Sequence, residues 1–480
     1  MDAYFAFLSE FFDRDTIHSC YLYSLLREID EMLRNRQTLT DEQNSALLTL
    51  FELVRVSGEQ KTFERVGDRS WLADWITVHK ITADILLGIL TATGDSLWFK
   101  NNREEILKLI GYLLSIESSP SPEEDDPKFG GPYHVAINSV RGQAYIAFAQ
   151  FACNDGKVLA PDVKKLFEKI LSSDSSNPVR FLIGHHLGIF YFRDKSYIQK
   201  LLPNIFPNAD ITKEKLFFAS WEGYLANKLY GELFVTLRDY YQYAIALNPD
   251  SYPDREYFKG LDETLAAHLA LEYSHFDFSI NDLLFTLFWS TPNDTRQYEF
   301  VSFIGRSCLT RDQAGDKWLE DNHVSKEKLM KFWDWLLSTD LPITPKAFSG
   351  FGFWINPDKE IIDEKFLVKN LAASLEKSKG ALDWDYGLMQ RIRVFAEIDP
   401  VNTLGVIRNL LLLDGELNPN RRAYFGADNE IKEALSIIYK VSPLKPKVEE
   451  LISTLIEKGS SMFWSLKDVL TLGGGTTGKY

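Results

Sequence analysis

The chain has 480 residues, of which 45% are hydrophobic and 25% charged, a composition typical of a globular protein with material for a large core. Its net charge of −15 repels phosphate backbones, and no long block of lysine or arginine offsets it, so we expect no nucleic-acid partner. The 3 cysteines lie far apart, which excludes a disulfide framework and favours a reducing compartment. Without a signal peptide or an uninterrupted apolar stretch of bilayer length, the sequence predicts a cytoplasmic protein and no membrane partner.

The first segment, residues 1–117, has the period of amphipathic helices. In residues 20–36 an apolar stripe faces one way and the charged side chains face the other. Thr40 and Gln43 have the spacing of a capping box, which predicts a helix start there. Further helices are expected in residues 71–90 and 104–116.

Residues 118–132 form the clearest break in the sequence, with four consecutive acids among prolines and glycines that cannot hold a helix. We interpret this segment as a linker or a long surface loop. It precedes a central helical-repeat region, residues 133–290. That region opens with residues 134–152, whose small and aromatic side chains predict a single buried helix.

A C-terminal helical-repeat region, residues 291–472, continues the same pattern, and no persistent alternating segment argues for a sheet. Residues 473–480 match most of a phosphate-binding loop. However, Tyr480 stands where that motif needs Ser or Thr, so a flexible tail is the better interpretation. The sequence therefore predicts an all-α protein, an irregular α-solenoid of stacked helical pairs similar to HEAT or TPR superhelices.

Motifs for catalysis, metal binding or cofactor binding are missing from the sequence. The 8 histidines join no His-Glu-x-x-His or Cys-x-x-Cys arrangement, and no Gly-x-Ser-x-Gly elbow is present. We therefore predict no catalytic residue, no metal ligand and no cofactor. One enzymatic alternative stays open, a helical hydrolase whose site joins separated residues such as His185 and Asp239.

Three arginines, Arg141, Arg180 and Arg306, lie in or beside apolar helices, where an unpaired guanidinium would be costly. Together with Asn138 they predict a structural polar network, in which each arginine pairs with a carboxylate or with carbonyl groups. The alternative is that they recognise an acidic partner.

Aromatic side chains are concentrated in two nearby segments of the C-terminal region. They either pack against the next helix pair or are displayed to a partner, because aromatic anchors dominate interface energies. The candidates for partner binding are Trp333, Trp335, Phe351, Phe353 and Trp354.

Several segments, in this order and spacing, resemble the C-terminal helical region of prokaryotic STAND NTPases of the AVAST antiviral type and related defence proteins. The similarity spans roughly residues 126–465 as a set of short helix-packing phrases. The matching segments are residues 136–144, 177–180, 219–225, 303–307, 331–336 and 348–354.

The resemblance implies a sensor, a helical array that binds a phage-encoded protein directly and relays this event through oligomerisation. The 480 residues hold neither of the family's other modules. We therefore expect the NTPase or effector activity on a module supplied in cis or in trans, and no enzymatic activity in this chain. The alternative function is a general protein-interaction scaffold or adaptor without a role in defence.

Overall fold

The computed structural model describes residues 19–35, 39–58, 74–116, 130–208, 211–247, 260–309, 319–320, 323–358, 360–413, 428–458, 463–464 and 466. These residues contain 23 α-helices and no β-strand, so the predicted all-α class is confirmed. The predicted tail, residues 473–480, lies outside them. The chain divides into two compact units, one comprising residues 1–243 and 247–261 and the other residues 244–246 and 262–480.

The first unit consists of helices of 6 to 19 residues. In chain order they are α1 (Ser19–Arg34), α2 (Asp41–Gly58), α3 (Trp75–Thr93), α4 (Leu97–Leu113), α5 (Pro132–Asn138), α6 (Val140–Asn154), α7 (Pro161–Ser173), α8 (Asn177–His185), α9 (Leu187–Arg193), α10 (Lys195–Ile205), α11 (Glu214–Leu225), α12 (Gly231–Thr236) and α13 (Arg238–Ala246), which ends in the second unit.

The second unit continues with helices of similar length, one π-helical turn (Ile304–Leu309) and two 3₁₀ turns, Ser442–Leu444 and Gly350–Trp354, of which the latter is called the 3₁₀ turn below. Its helices are α14 (Leu261–His275), α15 (Leu283–Ser290), α16 (Asp294–Phe303), α17 (Lys326–Ser338), α18 (Pro345–Ser349), α19 (Glu364–Lys377), α20 (Tyr386–Ile398), α21 (Pro400–Leu412), α22 (Asp428–Tyr439) and α23 (Lys445–Glu457).

Short polar side chains start many of these helices. Thr40 and Gln43 form the predicted capping box, with each backbone amide donating to the other side chain at 3.1 and 3.3 Å. Side-chain oxygens of Asp74, Ser96 and Asp194 likewise accept from amides in the first turns of α3, α4 and α10. Local capping chemistry, which is readable in the sequence, thus fixes these helix boundaries.

Residues 134–152, predicted as one buried helix, belong to two helices, so the prediction of a single helix is wrong. Residues 134–138 lie in α5, and the rest, from residue 140, lie in α6. The chain breaks at Ser139, which adopts φ −106° and ψ 155° and accepts a hydrogen bond from the Gly142 amide at 3.0 Å to cap α6. An internal serine can compete with the backbone in this way and start a new helix. A similar break at His186 separates α8 from α9.

Helices α8 and α11 approach each other until their backbones touch. A methyl group on Gly184 would overlap the carbonyl oxygen of Ser220, and one on Gly223 would overlap that of Phe181. Only glycine permits such close contact between two helix backbones. This contact holds the middle of the first unit together.

Many helices pack against the helix two places further along the chain. This is so for α1 with α3, α2 with α4, α19 with α21 and α20 with α22. Such partners are typical of stacked helical pairs, and the superhelical solenoid itself stays a prediction.

The boundary predicted at residues 118–132 does not separate compact units, although most of that segment lies outside the described residues. Helices α3 and α4, which precede it, both pack on α6, which follows it. The two compact units instead divide near residues 244–262, away from the boundary predicted after residue 290. The reason is that packing between helices far apart in sequence, which composition does not reveal, decides which segments share a core.

Helix α3 is the one described helix that is long and apolar enough to cross a membrane, with 19 residues and a mean hydropathy of 1.3. It packs against α1 and α6 and is half buried inside the protein. On its flank Lys80 pairs with Asp84 at 3.0 Å. These features are those of the core helix of a globular protein.

Candidate partner-binding surface

Three of the five predicted aromatic anchors lie in the core of the second unit, so they cannot act as surface anchors. Trp333, Phe351 and Trp354 are each 0% exposed. Trp333 stacks on Phe351 with ring centroids 3.9 Å apart, and the Trp354 indole donates to the Val301 carbonyl at 2.9 Å. The prediction of partner binding is wrong for these three residues. The reason is that a helical spacing of aromatics does not distinguish a buried face from an exposed one.

The other two predicted anchors are half-buried. Trp335 contacts the rings of Phe285 and Trp289, with centroids 5.1 and 5.9 Å away, so its inner side belongs to the core. Phe353 lies at the edge of the 3₁₀ turn and stacks in parallel on Trp384, with centroids 5.9 Å apart. Phe353 therefore connects the buried aromatic core to the protein surface.

Trp384 and Tyr386 complete an exposed group of rings. Each is 53% exposed, and their centroids lie 6.1 Å apart. We call Phe353, Trp384 and Tyr386, with the neighbouring Arg306 and Asp385, the aromatic corner. Large exposed rings in contact with one another are typical of protein-binding surfaces.

The loop before α20 is attached to the end of α18, on one side of Trp384, by two hydrogen bonds that we call the Ser349–Asp383 latch. The Asp383 amide donates to the Ser349 carbonyl at 3.0 Å, and the Ser349 hydroxyl donates to the Asp383 carboxylate at 2.8 Å. A methyl group on Gly352 would overlap the Asp383 carbonyl, so glycine is needed there. Burial, together with the nearby Asp383 carboxylate, raises the pKa of Tyr298 to about 12, so this phenol stays neutral.

Trp384 adopts a left-handed backbone conformation with φ +56°. For a bulky residue this region costs about 1–2 kcal/mol, and such strain persists only where the surroundings impose it. Here the latched Asp383 precedes Trp384, and α20 begins two residues after it. The chain must therefore turn sharply at Trp384, which directs its ring to the surface beside Phe353.

Arg306 lies at the other end of the aromatic corner. Its side chain is 43% exposed, pairs with Glu299 at 2.5 Å and lies over the Phe353 ring at 5.6 Å. The sequence places it beside an apolar helix, but the π-helical turn rotates it outward. Arg306 is thus a surface residue rather than part of a buried network.

The other members of the predicted polar network occupy different settings. Arg141 is buried and pairs with Asp174 at 3.1 Å. Arg180 donates to the carbonyls of Asp174, Asn204 and Leu171 at 3.1, 3.0 and 2.5 Å. Asp174 therefore brings Arg141 and Arg180 together at the junction of α6, α7 and α8, where they set the angles between helices.

Asn138, the remaining member, is exposed and does not join this junction. Its amide donates to the His134 carbonyl at 2.8 Å and closes the last turn of α5.

Ionisable groups with shifted pKa values are scattered among the helices. Burial lowers the pKa of His79 to about 4 and raises that of Glu222 to about 8. His79 is accounted for structurally, because its ring contacts the Trp75 carbonyl at 2.5 Å and the Tyr112 hydroxyl at 3.0 Å. Among the described residues, no three His, Cys, Asp or Glu side chains are grouped so that they could hold a metal ion.

The residues of the enzymatic alternative do not interact. His185 packs among the rings of Tyr133, Phe181 and His186, whereas Asp239 is exposed and lies near Tyr240. Within the described ranges no hydrogen bond or ion pair joins His185 to Asp239, so the geometry gives no support to a catalytic pair.

The first unit also has surface grooves between neighbouring helices. One lies between α4 and α7 and has a volume of about 360 Å³, and one lies between α2 and α4 with about 410 Å³. Both are lined by leucines and by lysine and acidic side chains of mixed sign, with Lys108 at the edge of each. Neither groove collects groups that would orient a small molecule.

No protein-family model, curated protein or solved structure matches this chain. The surface geometry is therefore the main guide to function. Sequence reasoning overlooked Trp384 and Tyr386, although the alternation Asp-Trp-Asp-Tyr at residues 383–386 is a detectable signal. Two large aromatics that alternate with acids, a few residues after the turn-forming Gly380, are expected at a surface rather than in a core.

Proposed function

We propose that this chain is the ligand-recognition (sensor) region of an antiphage defence protein of the STAND type. It binds a phage-encoded protein in the prokaryotic cytoplasm, through a surface that includes the aromatic corner. It carries out no chemistry itself, and the NTPase and effector act from a module in cis or in trans. The observation that carries the recognition role is the exposed Trp384, held in a strained backbone conformation by the Ser349–Asp383 latch.

Strain at an exposed aromatic residue supports recognition rather than folding. Replacing Trp384 by a residue that tolerates positive φ would relieve about 1–2 kcal/mol of backbone strain. It would lose one aromatic pair with Phe353, worth about 0.5–1.5 kcal/mol. Trp384 therefore adds little to the free energy of folding, whereas it would add much to the free energy of binding in an interface that buried it.

The defence role rests on the ordered sequence segments that resemble the AVAST sensors. In this structure those segments lie mainly at helix junctions and in the core, such as α11 against α8 and the turn that buries Trp354. Of the aromatic corner, Arg306 and Phe353 belong to these segments, whereas Trp384, Asp385 and Tyr386 lie outside them. Sensors that share a scaffold but bind different ligands are expected to agree at residues of the core and of helix junctions. They are expected to differ at exposed residues such as Trp384 and Tyr386.

The test of the proposal compares the wild-type protein with Trp384→Asn in cells that carry the complete defence system. Asparagine accepts positive φ, so the variant is expected to fold as well as the wild type. We expect wild-type cells to resist phage and the variant to lose resistance, because the loss of a hot-spot residue lowers affinity by roughly 30-fold.

A matched control is Trp464→Asn, which removes a 58% exposed tryptophan elsewhere in the second unit. The control is expected to retain resistance. Equal plaque counts with and without the wild-type protein would contradict the defence role. If Trp384 were nevertheless required to bind a cellular protein, the scaffold alternative would be supported instead.

A further inference from the structure

We propose that the aromatic corner binds an arginine side chain of the partner protein, with the guanidinium lying against Trp384 and Tyr386 and pairing with Asp385. This inference rests on the proposed function and specifies the chemistry of the partner at that site.

The geometry provides two ring surfaces and the carboxylate of Asp385, which forms no salt bridge within the described residues. The ring planes of Trp384 and Tyr386 are inclined to each other by 59°, so the two rings form a V-shaped surface. Asp385 lies between them in sequence and is half-buried at the start of α20, where its side chain caps no amide. Asp383 differs, because its carboxylate is already engaged by the Ser349 hydroxyl.

Within the described residues these two rings differ from exposed rings of the first unit, which have a cation over them. There, the exposed rings of Phe192 and Tyr230 have Lys195 and Lys228 lying over them at 5.9 and 6.0 Å. In the described part of the second unit, no lysine or arginine lies over Trp384 or Tyr386. Arg306 lies over the Phe353 ring instead and is paired with Glu299. Among the described residues, the two most exposed rings of the aromatic corner thus have no cation over them, and we assign this position to a cation of the partner.

Charge favours a basic over an acidic occupant. The chain carries a net charge of −15, and Asp383 and Asp385 flank Trp384. Arg306, the cation of the aromatic corner, is neutralised by Glu299. A carboxylate or phosphate group would be repelled, whereas a cation over tryptophan or tyrosine is attracted by the ring as well as by the acids.

Arginine fits better than lysine because its guanidinium is planar. It can stack on an indole ring and still direct two N–H groups at one carboxylate, a geometry that the compact ammonium group cannot copy. Arginine is also less strongly hydrated, so placing it against the two rings costs less free energy.

The experiment uses the full chain labelled with 5-fluorotryptophan and ¹⁹F NMR, with the Trp384 signal identified by its absence in Trp384→Phe. The probes are acetyl-Gly-Arg-Gly-amide and the same peptide with neutral citrulline, lysine or leucine in place of arginine. We expect the arginine peptide to shift the Trp384 signal with millimolar affinity, at least tenfold more tightly than the citrulline peptide. The lysine peptide should bind several-fold more weakly than the arginine peptide.

Asp385→Asn should weaken arginine-peptide binding roughly tenfold, as expected for the loss of a charge-assisted pair. Asp95→Asn is the charge-matched control, since it removes an 82% exposed carboxylate in the first unit, and it should leave binding unchanged. Equal shifts with arginine and citrulline, tighter binding of the leucine peptide, or no effect of Asp385→Asn would each overturn the inference.

The outcomes also separate this inference from the proposed function. If Trp384→Asn abolishes phage resistance but no arginine peptide binds, the sensor role stands and the arginine site is wrong. If the arginine peptide binds but resistance does not depend on Trp384, the chemistry of the site stands and the proposed function is wrong.

Discussion

Single buried polar residues hold the helices of the first unit at fixed angles. Arg180 satisfies three carbonyl oxygens at helix ends that would otherwise be unpaired, and Asp174 links it to Arg141. Burial lowers the pKa of Arg180, yet this guanidinium stays charged at every physiological pH. Replacing any one of these residues alone therefore leaves buried polar groups without a partner.

Arg180→Ala is expected to destabilise the first unit by about 3–5 kcal/mol, because it leaves several buried polar groups without a partner. Arg34→Ala, which removes a 68% exposed arginine from a surface pair with Asp30, should cost less than about 1 kcal/mol. Urea unfolding of both variants measures the difference. Equal losses would show that the buried junction contributes no more than a surface pair.

His79 gives the protein a defined response to acid. Its pKa falls from the ordinary 6.5 to about 4 because burial disfavours the imidazolium form. The unfolded chain therefore binds the proton more readily, so the stability that neutral His79 contributes is complete above pH 6.5 and is lost as the pH falls towards 4. Between pH 6.5 and 5 the loss amounts to about 2 kcal/mol, at roughly 1.4 kcal/mol per pH unit.

This response is measurable by NMR titration of ¹³C-labelled histidines, with the His79 signal assigned from its absence in His79→Gln. The expected midpoint is near pH 4, and the variant should lose less stability than the wild type between pH 6.5 and 5. A midpoint near 6.5 would contradict the burial argument.

At the scale of helices, the contact between α8 and α11 places the strictest demand on the sequence. Gly223→Ala is expected to destabilise the first unit by at least about 3 kcal/mol, because the added methyl group meets backbone rather than a movable side chain. Gly111→Ala on α4 is the matched control, since nothing lies within 4 Å of its new methyl group. It should be neutral or stabilise by up to about 1 kcal/mol.

Thermal unfolding followed by circular dichroism compares the two glycine variants. A Gly223→Ala protein as stable as Gly111→Ala would mean that α8 and α11 can separate without loss, and that their close approach is dispensable.

Helix identity was predictable from the sequence, whereas helix continuity was not. The apolar period and the Thr40–Gln43 capping box predict α1 and the start of α2 correctly, because these signals are local. Ser139 breaks a helix that the same period predicts as continuous, because its side-chain oxygen outcompetes one backbone bond. The inward position of Trp333 depends on α19, whose Ser374 accepts the indole hydrogen bond from 41 residues away. Local spacing could not reveal that partner, nor the latch between Ser349 and Asp383.

At the scale of the whole molecule, two compact units imply more than one cooperative transition. Ile85 in the first unit and Ile392 in the second are both 0% exposed, and shortening either to valine should cost about 0.5–1.5 kcal/mol. Differential scanning calorimetry is expected to show Ile85→Val lowering one transition and Ile392→Val lowering the other. A single transition that both variants shift equally would show that the units unfold together.

The Ser349–Asp383 latch closes its loop with main-chain and serine contacts, so the outward residues at 384–386 contribute little to folding. Substitutions at these positions are consequently free to accumulate without unfolding the protein. The sensor that we propose could therefore acquire new specificities at the aromatic corner in single steps, while its helical interior stays the same.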